Sequence, residues 1–221
     1  MTIAVASAVR REVRADIMDA AERVFARSGF DGATTRAIAD EASVNLGLIH
    51  YHFNSKEALF EQVIARHARQ VNDRRRALLA AVLAAPETAT LEAILDALMR
   101  PTIELSVGEG QHYSRIIVQI ASGADERSVQ LTAQNFNEIA HEFIDALERH
   151  VPGLSRDNTV WAYMNAISVG MLMIARTGRV SQLSDGLCDE SGSEEAIERV
   201  VRYLAAGTRA LAREGQTKPA G

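Results

Sequence analysis

The chain of 221 residues is sparing in several residue types, and each scarcity excludes something. A single cysteine, Cys188, rules out an intrachain disulfide framework and a cysteine-based zinc site, and fits a reducing compartment. Four prolines, Pro86, Pro101, Pro152 and Pro219, leave long stretches open to helix. Aromatic residues are 5% of the chain. Apolar runs such as 167–175 fall short of the roughly 20 residues that a membrane span needs, so no membrane partner is expected. The first nine residues lack a basic head and are followed by Arg10 and Arg11, which is not the layout of a secretory signal. The expected location is the cytoplasm. Nucleophile elbows, phosphate-cradling glycine loops and paired cysteines are absent from the sequence, and His141-Glu142 leads to Asp145 rather than to a histidine four residues on. His50 and His52 are two apart and would diverge on a helix. The reading is therefore of a protein that is not an enzyme and needs no cofactor or metal.

What is present is the composition of a helical globular protein: 47% hydrophobic, 24% charged, and rich in Ala, Leu, Arg and Glu. The spacing predicts an all-α fold of nine or ten helices. Val13, Ile17, Ala20, Val24 and Phe25 place one apolar stripe on a first helix over 10–28, stopped by Gly29. Thr34 or Thr35 caps a short second helix to about 42, Asn45 caps a third to about 51, and Ser55 caps a long fourth helix over about 55–84. Further helices are expected at 90–104, around Ile116–Ile120, at 128–150, at 155–177 and, capped by Ser193, to 212, with Pro101 kinking or ending the first of these. A polar loop is expected at 181–192. The implied organisation is a head of short helices over 10–60, a helical body over 85–213, and flexible tails at 1–9 and 214–221.

Two short helices between longer ones, with a turn of very few residues, outline a helix-turn-helix. The match extends over about fifty residues: Gly29-Phe30 ending the first helix, Thr34-Thr35, Ile38-Ala39, Val44 in the turn, then Tyr51-His52-Phe53 and Ser55-Lys56-Glu57-Ala58-Leu59-Phe60. This block resembles the amino-terminal DNA-binding domain of the TetR (tetracycline-repressor-like) family of bacterial transcriptional regulators. The resemblance implies that a short helix enters the major groove while surrounding groups hold phosphates. Thr34, Thr35 and Arg36 open the second helix and are candidate phosphate contacts, as are Tyr51, His52 and Lys56 at the exit of the third. Asn45, Leu46, Gly47, Leu48 and His50 are the candidates for reading bases. His50 stands where the family generally has tyrosine, and Leu46 and Leu48 where polar groups are common. Leu48 either meets a thymine methyl or simply packs against its neighbours.

The second half carries a weaker resemblance, through LMRPTIELSVGEGQHYSRIIVQIAS, to regulator-type carboxy-terminal domains, and names no ligand. Met99, Phe136, Trp161, Met164 and Met171 are candidates for an adaptable pocket, with His112, Tyr113 and His141 as polar anchors; a filled core or a dimer seam is the alternative. The resemblance further implies a homodimer through the late helices, 155–177 and 193–212, with Ala166, Ser168, Gly170 and Ala175 allowing close approach. The function implied is a ligand-responsive regulator of a near-palindromic double-stranded DNA operator, with a small-molecule effector, and most often a repressor. The alternative is a DNA- or protein-binding organiser that uses the same fold without regulating a promoter. The net charge of −5 ordinarily argues against a nucleic-acid partner, but it divides: residues 1–80 hold 12 basic and 10 acidic residues, net +2, and 81–221 hold 12 and 19, net −7.

Overall fold

The computed structural model describes the chain apart from residues 1, 86, 88, 109, 189–193 and 218–221, and gives backbone alone at 2–10 and 214–217. Among the described residues there are ten helices and no strand: α1 (Thr2–Gly32), α2 (Thr35–Glu41), α3 (Leu46–Phe53), α4 (Lys56–Leu83), α5 (Leu91–Val107), α6 (Gln111–Ser122), α7 (Glu126–His150), α8 (Arg156–Ala175), α9 (Arg179–Leu183) and α10 (Glu194–Thr217). Helical backbone thus runs upstream of the expected start at Arg10 and downstream of the expected end at Ala212. Ser193, the expected cap of the last helix, lies outside the described residues. Part of the expected 181–192 loop is taken up by α9.

The caps explain where the head helices begin. Thr34 Oγ1 accepts from the Ala37 N–H at 3.1 Å, Asn45 Oδ1 from Gly47 at 2.8 Å and Ser55 Oγ from Ala58 at 3.1 Å. Gly29, at φ 66°, ψ 178°, leaves the helical region before α1 closes. α2 ends through a tight turn in which Ser43 takes φ 55° and the Val44 N–H donates to the Ala39 carbonyl at 3.0 Å. α5 passes through Pro101 rather than ending there. The Leu98 carbonyl, in the turn before Pro101, accepts from Arg75 Nε at 2.9 Å, which ties α5 to α4.

Two apolar clusters form. The head core gathers Ile17, Phe25, Ile38, Ile49, Phe53, Leu59, Phe60 and Val63, and the body core gathers Leu95, Leu98, Ile103, Ile139, Phe143, Leu147 and Leu204 with their neighbours. α6 belongs to both: Ile116 and Ile120 are buried in the head core, and Tyr113 and Ile117 in the body core. The head and body therefore share an element that the sequence spacing assigns to the body alone.

A buried carboxylate reinforces that seam. The Glu22 side chain, 6% exposed, lies on the inner side of α1. Its Oε2 accepts from Arg66 Nη2 at 2.6 Å and from His67 Nε2 at 2.7 Å, both on α4, while Oε1 accepts the Tyr113 backbone N–H in the first turn of α6 at 3.2 Å. Burial alone would raise the Glu22 pKa. The hydrogen bonds from His67 and Arg66 outweigh it and hold the carboxyl below its ordinary value. A depressed native value means that the stabilisation is complete above the unfolded-state range, about 4.3, and is lost as pH falls through the native value. Glu22→Gln is expected to be less stable than the parent by about 1–3 kcal/mol at pH 7. In urea unfolding at stepped pH the gap should close below about pH 4; a gap indifferent to pH would refute the charged role.

Candidate nucleic-acid interface

α3 is amphipathic by position. Ile49 and Phe53 are buried in the head core, and Leu48 packs partly against it, which favours the packing reading of Leu48. The opposite side exposes Leu46, Gly47, His50 and Tyr51, a set spaced one helical turn apart. Asn45, exposed, spends its side-chain oxygen on the α3 cap. A Cβ on Gly47 would stand 3.3 Å from that oxygen, so glycine keeps the cap unobstructed and leaves the backbone bare at the exposed entry of the helix. The His50 imidazole Nδ1 lies 3.3 Å from the Asn54 carbonyl, which accepts, leaving Nε2 for an outside partner. Tyr51 is exposed, and its ring meets the half-buried His52 edge-on at 5.0 Å. On α2, Thr35 is half-buried, and Arg36 is exposed with no side-chain partner among the described residues. The Thr34 hydroxyl is committed to its cap.

Lys56 departs from expectation. Its ammonium donates to the Phe30 carbonyl at 2.9 Å and to the Ala33 carbonyl at 3.0 Å, and lies 4.2 Å from the centre of the Phe30 ring. Two of its three N–H groups are thereby spent tying the start of α4 to the end of α1 and the approach to α2. On this geometry Lys56 positions the helix-turn-helix from within. Phe30 also stacks on Phe25, meets the tilted Phe60 ring at 5.0 Å and takes the Arg127 guanidinium of α7 over its ring at 3.7 Å.

The expected pocket residues divide between the body core and the surface. Met99 and Tyr113 are buried in the body core, and Phe136 and Met171 are packed against it. His112 is half-buried on α6, with its Nδ1 buried and unpartnered, and His141 is exposed on α7. Trp161 and Met164 lie on the outer side of α8, 65% and 47% exposed, and Leu172 of α8 and Tyr203 of α10 are exposed as well, at 67% and 71%. Among the supposed seam residues, Ala166 and Gly170 are buried inward; a Cβ on Gly170 would fall 2.7 Å from Met99 Cε, so that glycine admits a core methionine and not a second copy of the chain. Ser168 is exposed on α8 and Ala175 is half-buried there, and further small residues on the exposed side sit on α10, at Ala206, Gly207 and Ala210. A groove of about 470 Å³ between α8 and α10 is lined by Asn165, Ser168, Tyr203, Ala206 and Gly207 with their neighbours. Among the described residues no cluster of three or more His, Cys, Asp or Glu side chains forms a metal site, and no helix is long and apolar enough to cross a membrane.

Glu22 and Arg75 escape sequence reasoning, although each leaves a trace. Glu22 interrupts an apolar stripe between Ala21 and Val24, and Arg75 sits inside a run of three arginines that looks solvated. Lys56→Ala is expected to lower the melting temperature and to weaken DNA binding at every salt concentration, with the slope of log affinity against log salt unchanged. A slope reduced by about one would assign Lys56 to a phosphate instead.

Residues 17–63 match the family model "Bacterial regulatory proteins, tetR family", and residues 96–207, more than half the chain, match the "Tetracyclin repressor-like, C-terminal domain". The transcriptional repressor KstR2 of Rhodococcus jostii is 32% identical over 82 residues, covering 37% of this chain and 39% of that protein. TtgR of Pseudomonas putida is 41% identical over 54 residues, 24% of this chain and 26% of its own. The chain thus spans well under half the length of these curated relatives. Likeness in fold is far more extensive. The fatty acid degradation regulator FadR of Bacillus halodurans superposes with a TM-score of 0.64 at 17% identity, over 88% of this chain and 95% of that one. FadR of Bacillus subtilis, solved in complex with stearoyl-CoA, gives 0.61 at 18%, over 87% and 97%.

Proposed function

For a chain that belongs to the tetR family of bacterial transcriptional regulators, we propose the role of a homodimeric repressor that grips a near-palindromic operator with α3 and is released by a small-molecule effector. The observation that carries the DNA reading is the exposed quartet Leu46, Gly47, His50 and Tyr51 on a short helix whose other side is locked into the head core. An α-helix fits the major groove, and bare backbone at Gly47 permits close approach. Leu46 suits a thymine methyl, while His50 and Tyr51 offer hydrogen bonds to a base edge or a phosphate. Arg36 and His52 flank that helix as candidate phosphate contacts, with the backbone at Thr34 and Thr35 beside them.

Support for the dimer comes from the outer side of α8 and α10. Trp161, Met164 and Leu172 on α8 and Tyr203 on α10 are large apolar side chains left exposed, and Ala206, Gly207 and Ala210 on the exposed side of α10 allow two helices to approach closely. In a twofold dimer the two recognition helices would enter successive major grooves about 34 Å apart. The effector reading draws on the family and on the stearoyl-CoA complex of a neighbour sharing the fold. Since a ligand acts only through different affinities for two conformations, the shared helix α6 is the element through which the body would bias the head.

Fluorescence anisotropy on DNA from the chain's own upstream region is the direct test: selective binding at moderate salt is expected, and binding indifferent to sequence would sink the proposal. Occupancy spread over many dispersed genomic sites would favour an organiser instead. Trp161→Glu is expected to yield a folded monomer by sedimentation, with operator affinity reduced about 100-fold or more as bivalent binding is lost. A variant that stays dimeric would move the interface elsewhere.

A further inference from the structure

Three consecutive arginines on α4 fare differently. Arg74 pairs with Glu104, and Arg76 pairs with Glu142 and Glu138. Arg75 turns into the body core and is 4% exposed. Its Nε donates to the Leu98 carbonyl at 2.9 Å and an Nη2 N–H donates to the Thr102 hydroxyl at 2.9 Å. Both acceptors are neutral, and no carboxylate pairs with Arg75 among the described residues. The ionisable groups that act on it are the tyrosines Tyr113 of α6 and Tyr163 of α8, whose hydroxyls burial holds in the neutral form. A guanidinium does not shed its proton at neutral pH, so a full positive charge stands in an apolar cluster without a counter-charge. That is an unfavourable arrangement for a purely structural residue, since burial removes hydration that only an opposite charge replaces well. Satisfying the Leu98 carbonyl near Pro101 requires a hydrogen-bond donor and not a charge.

We propose that Arg75, with the Thr102 hydroxyl and the rings of Tyr113 and Tyr163, forms the head-group site for a small monocarboxylate whose apolar part packs in the surrounding body core. The inference rests on the reading of the body as effector-binding and adds the chemical class of the effector. The guanidinium fork accepts a carboxylate in paired hydrogen bonds. The described bonds occupy two of its five N–H groups. The position also joins the ligand to the head. Tyr113, buried in the body core into which Arg75 turns, is the residue whose N–H donates to Glu22 and whose ring lies 4.8 Å from His67, so an anion that reorganises Tyr113 acts directly on the seam between α1, α4 and α6.

The test is calorimetric titration of the full-length protein with hexanoate, octanoate and decanoate below their micellar concentrations, against the corresponding primary amides. The expected result is binding of at least one acid, with its amide about ten-fold weaker or worse, and with the acid weakened to a similar degree in Arg75→Gln, which keeps a donor but no charge. Arg75→Met, an apolar replacement of similar length, guards against misfolding of the first variant and should show the same loss. Absence of binding by every acid, equal affinity for acid and amide, or undiminished affinity in both variants would overturn the proposal. Operator binding by the unliganded parent, measured on the same preparation, separates the two readings: its failure counts against the regulator, whereas lost carboxylate binding with operator binding intact counts against this site alone.

Discussion

A carboxylate buried where three helices meet must be answered from all of them, and the geometry of the molecule depends on how Glu22 is answered. A guanidinium and an imidazole from α4 and a backbone N–H from the first turn of α6 converge on one side chain of α1. Each partner fixes a different relation: Arg66 and His67 set α1 against α4, and Tyr113 sets both against the body. A buried charge stripped of one partner is costly, so the three helices hold position together. The recognition helix has no direct bond to the body in this network. Its orientation is inherited from α1 and α4, on which the head core is built.

The same seam is closed a second time by aromatic and cationic contacts. Phe30, just beyond the left-handed Gly29, completes a cluster with Phe25 and Phe60 and receives Lys56 from α4 and Arg127 from α7. A ring with cations held over it gains from both only while α1, α4 and α7 keep their spacing. The head is thus anchored to the body at two places, by hydrogen bonds at the start of α6 and by ring contacts at the start of α7. Between them α6 lays Ile116 and Ile120 into the head core. Rigid attachment of this sort favours a hinge that moves as a unit over a head that flexes alone.

Local chemistry was legible and partnership was not. Thr34, Asn45 and Ser55 announced their helices because a side-chain oxygen ahead of an apolar period has a narrow set of uses, and the TetR resemblance followed from how many such signals fell in order. Period also sorts residues onto faces of a helix, but it does not say what a face meets. Trp161 and Met164 read equally well as pocket lining or as outer surface, and Gly170 as a dimer contact or as room for Met99; only the packing of α8 on the body decides between them. Lys56 looked like a phosphate ligand because it stands at a helix start near the groove, while the carbonyls that claim it come from residues 30 and 33 and are set by the fold. Arg75 was hidden by its neighbours, since nothing in a run of three arginines marks the one that turns inward.

The sign of the head's charge has a subtler meaning than the sequence count conveys. Arg23 and Arg27 are both held by Glu41, whose carboxyl their hydrogen bonds keep below its ordinary value; Arg66 belongs to Asp19 and Glu22, and Lys56 to two carbonyls. These four cations therefore serve the architecture, whereas Arg36 and Arg69 are exposed with no side-chain partner among the described residues. Each cation held in this way is less available to displace counterions on meeting DNA, and the grip on any single half-site would be weakened accordingly. Binding by the proposed dimer would then depend on engaging both half-sites at once, which is a condition on the distance and tilt between two heads. That condition is sensitive to small rotations of α4, and the Glu22 seam is where the body can impose them.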